Sequence, residues 1–129
     1  MEEIMGYLEK HEEEKWKRFQ GMYYQQLDVG KGIPIEKGNK IAIHYKGWFL
    51  NGKIFDSTYE VDDPQYFVFG DPGQVIEGFE IMLWKMRKGA KSKIILPSYL
   101  AFGIEGSANG KIPPFTPVMY EIEVIKNFK

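Results

Sequence analysis

Residues 40–56 read KIAIHYKGWFLNGKIFD, and this stretch decides the fold. Over residues 40–50 apolar and polar positions alternate, placing Ile41, Ile43 and Tyr45 on one face and Ala42 and His44 on the other, the period of a half-buried strand. Asn51-Gly52 follows at once, the pair that best tolerates the positive φ angles of a two-residue type I′ turn, so residues 53–56 are predicted to return as the partner strand. The hairpin then ends on Phe55-Asp56, an aromatic ring beside a carboxylate at the rim of the sheet. If that carboxylate is buried it needs a partner, and Tyr45 is the candidate.

Working outward, residues 22–27 read as an earlier strand, and residues 29–39, with Gly30, Gly32, Pro34 and Gly38, as a loop. Residues 1–20 are rich in Glu and Lys, contain no Pro and carry Ile4, Leu8, Trp16 and Phe19 at loosely helical spacing. They are predicted to form an N-terminal helical extension stopped by Gly21. Glu2, Glu3 and Glu9 precede Lys15, Lys17 and Arg18, the order that complements a helix dipole. Such an arm either packs on the domain or acts as a spacer or dimerisation helix.

Downstream, residues 67–69 form a short strand closed by Gly70-Asp71-Pro72-Gly73. Val75, Phe79, Met82, Leu83 and Met86 recur at helical spacing, predicting one amphipathic helix over residues 75–86 that ends near Gly89. Residues 90–96 are a strand stopped by Pro97, and residues 117–125 alternate Val118, Tyr120, Ile122 and Val124 as the last strand. The long loop between them, residues 98–116, has an apolar content that points to function. Strand runs around one interior helix give an α+β domain over residues 21–129, a strongly bent antiparallel β-sheet wrapped around one short α-helix.

With 129 residues, 43% of them hydrophobic, the chain is long enough for one core and too short for two. Its 17 basic and 18 acidic residues leave a net charge of −1, so no global field draws in nucleic acid. The cluster Lys85, Arg87, Lys88, Lys91 and Lys93 reads as a solvated face. The absence of cysteine excludes disulfides, thiol catalysis and thiolate metal sites without naming a compartment. No apolar run approaches the roughly 18–20 residues of a membrane span, and the acidic Met1-Glu2-Glu3 does not resemble a signal peptide.

His44 falls on the face opposite Tyr45, and His11 lies in the charged arm, so no His-based triad assembles from sequence neighbours. Asp62-Asp63-Pro64 reads as an acidic turn rather than a metal site, and Gly103, Gly106 and Gly110 lack the strand-to-helix setting of a phosphate loop. What remains is Tyr45, Phe55, Asp56, Val75, Ile76, Phe79, Phe102 and Ile112, an apolar pocket with one polar marker and no nucleophile. That combination suits chemistry done by desolvation and shape, with neither metal nor cofactor.

The run Ile43-His44-Tyr45-Lys46-Gly47, then Asn51-Gly52-Lys53 and Phe55-Asp56-Ser57, resembles the strand-hairpin signature of FKBP-type peptidyl-prolyl cis-trans isomerases. The likeness continues in order through Gln74 to Phe79, Met86 to Gly89, Leu96-Pro97, Ala101 to Gly103, Ile112 to Pro114 and Val118 to Ile122. It spans about residues 22–127 and implies a pocket between sheet and helix. By this resemblance Tyr45, Phe55, Val75, Ile76, Ile112 and Tyr120 wall the pocket, Phe79 is its floor, and Asp56 lies at its edge. The Ile76 N–H would hold a substrate carbonyl.

Three positions depart from the family's pattern. The floor is Phe79 instead of Trp, Phe102 replaces a Tyr, and Gln65 replaces a wall Phe that neighbouring Tyr66 is expected to cover. The implied activity is cofactor-free isomerisation of X-Pro bonds in unfolded or flexible proteins, with reduced affinity for macrolides of the tacrolimus and rapamycin type. The alternatives are a non-catalytic FKBP-like chaperone or partner-binding module and, further off, a carrier of small apolar ligands. The resemblance also favours a cell-envelope location, periplasmic or lipoprotein, over the cytoplasm.

Overall fold

The computed structural model describes residues 2–128. Seven strands and two α-helices follow in the order α1 (Glu2–Lys10), β1 (Lys17–Phe19), β2 (Met22–Asp28), β3 (Lys40–Phe49), β4 (Ile54–Ser57), β5 (Gln65–Val68), α2 (Glu77–Leu83), β6 (Lys91–Leu96) and β7 (Val118–Phe128). They form one curved antiparallel sheet in the order β1-β2-β6-β7-β3-β4, with β5 also pairing β3. The pairings of β4 with Lys46 to Trp48, and of β5 with Lys40 to Ile43, set the two short strands end to end along one edge of β3. β7 runs the full length of β3 on its other side, Phe49 opposite Val118 and Lys40 opposite Phe128.

Strand alternation divides the apolar residues between the two faces. Ile41, Ile43, Ile94, Leu96, Val118, Tyr120, Ile122 and Val124 meet Phe79, Met82 and Leu83 of α2 in the main core. Ile95 and Met119, out of phase with these, meet Ile4 of α1 on the other face, with Trp16, Tyr23, Trp48 and Leu50 around them. The sheet is therefore covered on both sides. The loop before β3 is tied to β7 by a buried amide pair. Asn39 Nδ2 donates to Asn127 Oδ1 at 2.9 Å, and Asn127 Nδ2 donates to the carbonyls of Ile33 and Pro34 at 3.1 and 3.2 Å. Hydrogen bonding of this kind is what lets polar groups sit under a sheet at little cost.

Four expectations change. The N-terminal helix stops at Lys10, a 3-10 turn follows at Glu12–Glu14, and residues 17–19 are a strand rather than helix; Gly21 (φ 88°) serves the β1-β2 turn. The interior helix starts at Glu77 and ends at Leu83, because Ile76 is extended (φ −64°, ψ 154°) and the chain turns after Trp84 to bring Arg87 beside Pro34. Residues 98–100 form a further 3-10 turn inside the predicted loop.

The hairpin lies where Asn51-Gly52 predicted, with a different turn. Phe49 N–H donates to Lys53 O and Gly52 N–H to Phe49 O, both at 2.9 Å, and within this loop only Gly52 takes a positive φ (95°). This is a three-residue loop, a type I turn closed by a glycine bulge.

Candidate functional site

A cleft of about 230 Å³ opens between the concave sheet face and α2, lined by Tyr45, Asp56, Gln65, Gln74, Val75, Ile76, Phe79, Phe102 and Tyr120. Three buried or half-buried rings make its base. Phe79 and Tyr120 are each 3% exposed and stand edge to face at 4.7 Å and 87°. Tyr45 meets both edgewise, at 5.5 Å from Phe79 and 5.8 Å from Tyr120. Mutually perpendicular rings match positive edges to negative faces and hold one another still.

The polar marker is placed as the residues predict. Tyr45 O–H donates to Asp56 Oδ2 at 3.2 Å, with Asp56 itself exposed at the rim. Burial first, and then the Asp56 charge and hydrogen bond, push the Tyr45 phenol up to about 12 from its ordinary 10.0. Burial likewise raises Tyr120, with Tyr45 and Asp56 adding to it. Because the folded value lies above the unfolded one, Tyr45 stabilises the fold fully below pH 10 and loses that contribution as pH rises through about 12. An ultraviolet titration of the protein against Tyr45→Phe is expected to show this phenol ionising late, and Asp56→Asn should bring it back toward 10.

Phe55 and Ile112 sit beside the cleft rather than in it. They line an adjoining hollow of about 120 Å³ that shares Asp56, Phe102 and Tyr120 with the cleft. Phe55 is aimed there by a β-bulge. Gly47 pairs with Asp56 and Trp48 with Ile54, leaving Phe55 as the extra residue, its ring perpendicular to Tyr120 at 5.5 Å and against Phe49 at 5.0 Å. Bulges beside active sites characteristically redirect a side chain in this way. Ile112, 3% exposed, is held by a self-bonded flap: its N–H donates to Ser107 Oγ, and its carbonyl accepts from Ser107 N, both at 2.9 Å.

Tyr66 does not reach the pocket. It is 59% exposed and its hydroxyl accepts from Lys126 Nζ at 3.3 Å, on the opposite side of β5 from Gln65 and the buried Phe67. Neighbours on a strand face opposite ways, so Tyr66 cannot substitute for a missing ring at position 65. Gln65 lines the cleft instead, donating from Nε2 to the Gln74 carbonyl at 3.1 Å and so tying β5 to the approach of α2. The Ile76 N–H, at the cleft wall, finds no acceptor among the described residues.

Sequence reading passed over Gly47. A Cβ there would lie 2.7 Å from both Phe55 Cζ and Tyr120 Cε1, so the two rings close over a bare backbone. A lone glycine inside an alternating strand was the available signal for such a close approach.

The sequence model of FKBP-type peptidyl-prolyl cis-trans isomerases matches residues 31–125. The chain belongs to this family. A protein named FK506-binding protein, from Neisseria meningitidis serogroup B, is 36% identical over 109 residues, covering 84% of this chain and 98% of the relative. A probable FKBP-type peptidyl-prolyl cis-trans isomerase of Haemophilus influenzae is 33% identical over 81% of this chain and 42% of its own length.

Among solved structures, the peptidyl-prolyl cis-trans isomerase of Pseudomonas syringae pv. tomato aligns with a TM-score of 0.80 at 30% identity, over 99% of this chain and 92% of that one. FkpA from Escherichia coli aligns at 0.84 with 27% identity, over 98% of this chain and 58% of that one. The curved sheet around α2 is the FKBP fold, and the activity of this FKBP-type chain is peptidyl-prolyl cis-trans isomerisation. Proteins of this family bind proline-containing protein substrates.

Proposed function

We propose that the Tyr45–Phe79–Tyr120 cleft is the prolyl site, with Val75 and Ile76 as walls, Phe55, Phe102 and Ile112 enclosing the side toward the flap, and Asp56 at the edge. The perpendicular aromatic base carries this reading, because it offers a proline ring an apolar seat and little to react with. The isomerase unit is assigned to residues 21–129, with β1 of the N-terminal extension adding an edge strand to its sheet.

An X-Pro bond resists rotation by about 18–20 kcal/mol because planarity preserves amide resonance. In the twisted state resonance is lost, so the carbonyl carries less charge, and a dry seat loses less by holding that state than the flat, more polar one. Each 1.36 kcal/mol of such preference gives about tenfold in rate. No bond breaks and no proton must be moved. The free Ile76 N–H supplies a donor for the substrate carbonyl, and Asp56 fixes the Tyr45 ring through its hydrogen bond.

The same cleft takes tacrolimus- or rapamycin-type macrolides with reduced affinity, since Phe79 carries no indole N–H and Phe102 no hydroxyl. Asp56→Asn tests the mechanism. It is expected to lower kcat/KM by about three- to tenfold in an NMR exchange assay on a Leu-Pro peptide, as the charged acceptor of the Tyr45 hydroxyl gives way to a neutral one. A fall of a thousandfold would instead mark Asp56 as an acid or base and replace this reading.

A further inference from the structure

Beyond Phe55, on the side away from the cleft, a groove of about 530 Å³ runs between the β3-β4 hairpin tip, the flap and the start of α1. That volume lies within the range of about 300–1,000 Å³ usual for ligand sites. Its apolar walls are Phe49, Leu50, Pro113 and Pro117. Two exposed cations, Lys53 and Lys111, flank them, against Glu3 as the one acid, and none of the three charges joins an ion pair among the described residues.

The groove adjoins the hollow beside the prolyl site. Lys111 lines both it and the Phe55–Ile112 hollow, Phe49 packs on Phe55 at 5.0 Å, and that hollow opens onto the cleft through shared Asp56, Phe102 and Tyr120. A chain with its proline on Phe79 therefore has a run of depressions to follow past Phe55. We infer that this groove is an extended substrate subsite for the segment flanking the isomerised proline, selecting an apolar side chain accompanied by Asp or Glu. The reading builds on the prolyl-site assignment and gives α1 a part in it, because Glu3 forms one wall.

Charge decides between cationic and anionic segments, so the test uses charge. Peptides share one Leu-Pro core and are left short, or extended on either side by Leu-Glu or Leu-Lys. They are assayed with the wild-type chain, Lys53→Glu and Glu3→Lys, both substitutions being at exposed positions outside the prolyl site. On the side that reaches the groove, the Leu-Glu extension is expected to lower KM about tenfold, the effect of largely burying one Leu.

Lys53→Glu should take back about two- to fivefold of that gain and Glu3→Lys should add to it, with the order reversed for Leu-Lys and core turnover unchanged. Equal KM values for core and extended peptides in the wild type, or variants that shift core and extended peptides alike, would overturn the subsite while leaving the prolyl site standing. Failure of the wild type to turn over the core peptide would overturn the prolyl-site assignment itself.

Discussion

Phe55→Ala is expected to lower kcat/KM for a Leu-Pro peptide by about ten- to a hundredfold, since burying a Phe-sized side chain is worth about 1.5–3 kcal/mol and each 1.36 kcal/mol is tenfold in rate. The ring is only half-buried, at the edge of the main core, where it packs on Phe49 and Tyr120. Stability should therefore fall by no more than about 1–2 kcal/mol, below the 3–5 kcal/mol typical of a Phe removed from a full core. Paired NMR exchange and thermal melts separate the two effects. An unchanged rate would mean that the hollow takes no part in catalysis, and that substrate meets only the Tyr45–Phe79–Tyr120 cleft.

Gly47→Ala should lose activity by at least about tenfold, although the added methyl touches no substrate. Its Cβ would fall 2.7 Å from Phe55 Cζ and from Tyr120 Cε1, so the half-buried Phe55 ring must swing toward the hollow and off its perpendicular contact with Tyr120. Overpacking of this kind costs about 1–3 kcal/mol. The double variant Gly47→Ala/Phe55→Ala distinguishes a clash from a general strand defect. With the Phe55 ring gone, only the Tyr120 contact remains and that ring gains room to yield, so the alanine should cost less further stability than in the wild type, a non-additivity that a double-mutant cycle reads directly. Strictly additive melting losses would show that Gly47 acts through the strand or through Tyr120 and not through Phe55.

Much of this was legible because local pattern and tertiary burial agree. The alternation over residues 40–49, the Asn51-Gly52 break and the contact of Tyr45 with Asp56 all follow from short-range chemistry. The misreadings arise where one pattern has two causes. Val75 and Met86 pack on the same core as α2 from outside it, so burial prolonged a helical period that the backbone had left at Ile76 and Leu83. Asn51 signalled a primed turn, yet the loop needed only one left-handed residue, and Asn51 instead accepts the Lys53 N–H at 2.9 Å.

Trp16 and Phe19 looked like the far end of a helix face. Trp16 packs with α1 on one side of the sheet, while Phe19 joins the opposite core from an edge strand. Tyr66 failed on the strictest rule available, since a strand cannot lend one residue's face to the next. That Lys111 borders both the hollow and the outer groove depends on the flap and hairpin meeting in space, and no spacing in the chain encodes that.

β7 lies in the middle of the sheet, between β6 and β3, although it is the last strand in the chain. On a ribosome, every other strand emerges before the one that joins the two halves, and β3 waits with an open edge while residues 50–117 are made. Closure therefore waits until residues 118–128 are made and depends on contacts between residues far apart in sequence, the kind that slow folding most. Until β7 is made, this catalyst of folding is itself an incomplete sheet, its two halves not yet joined.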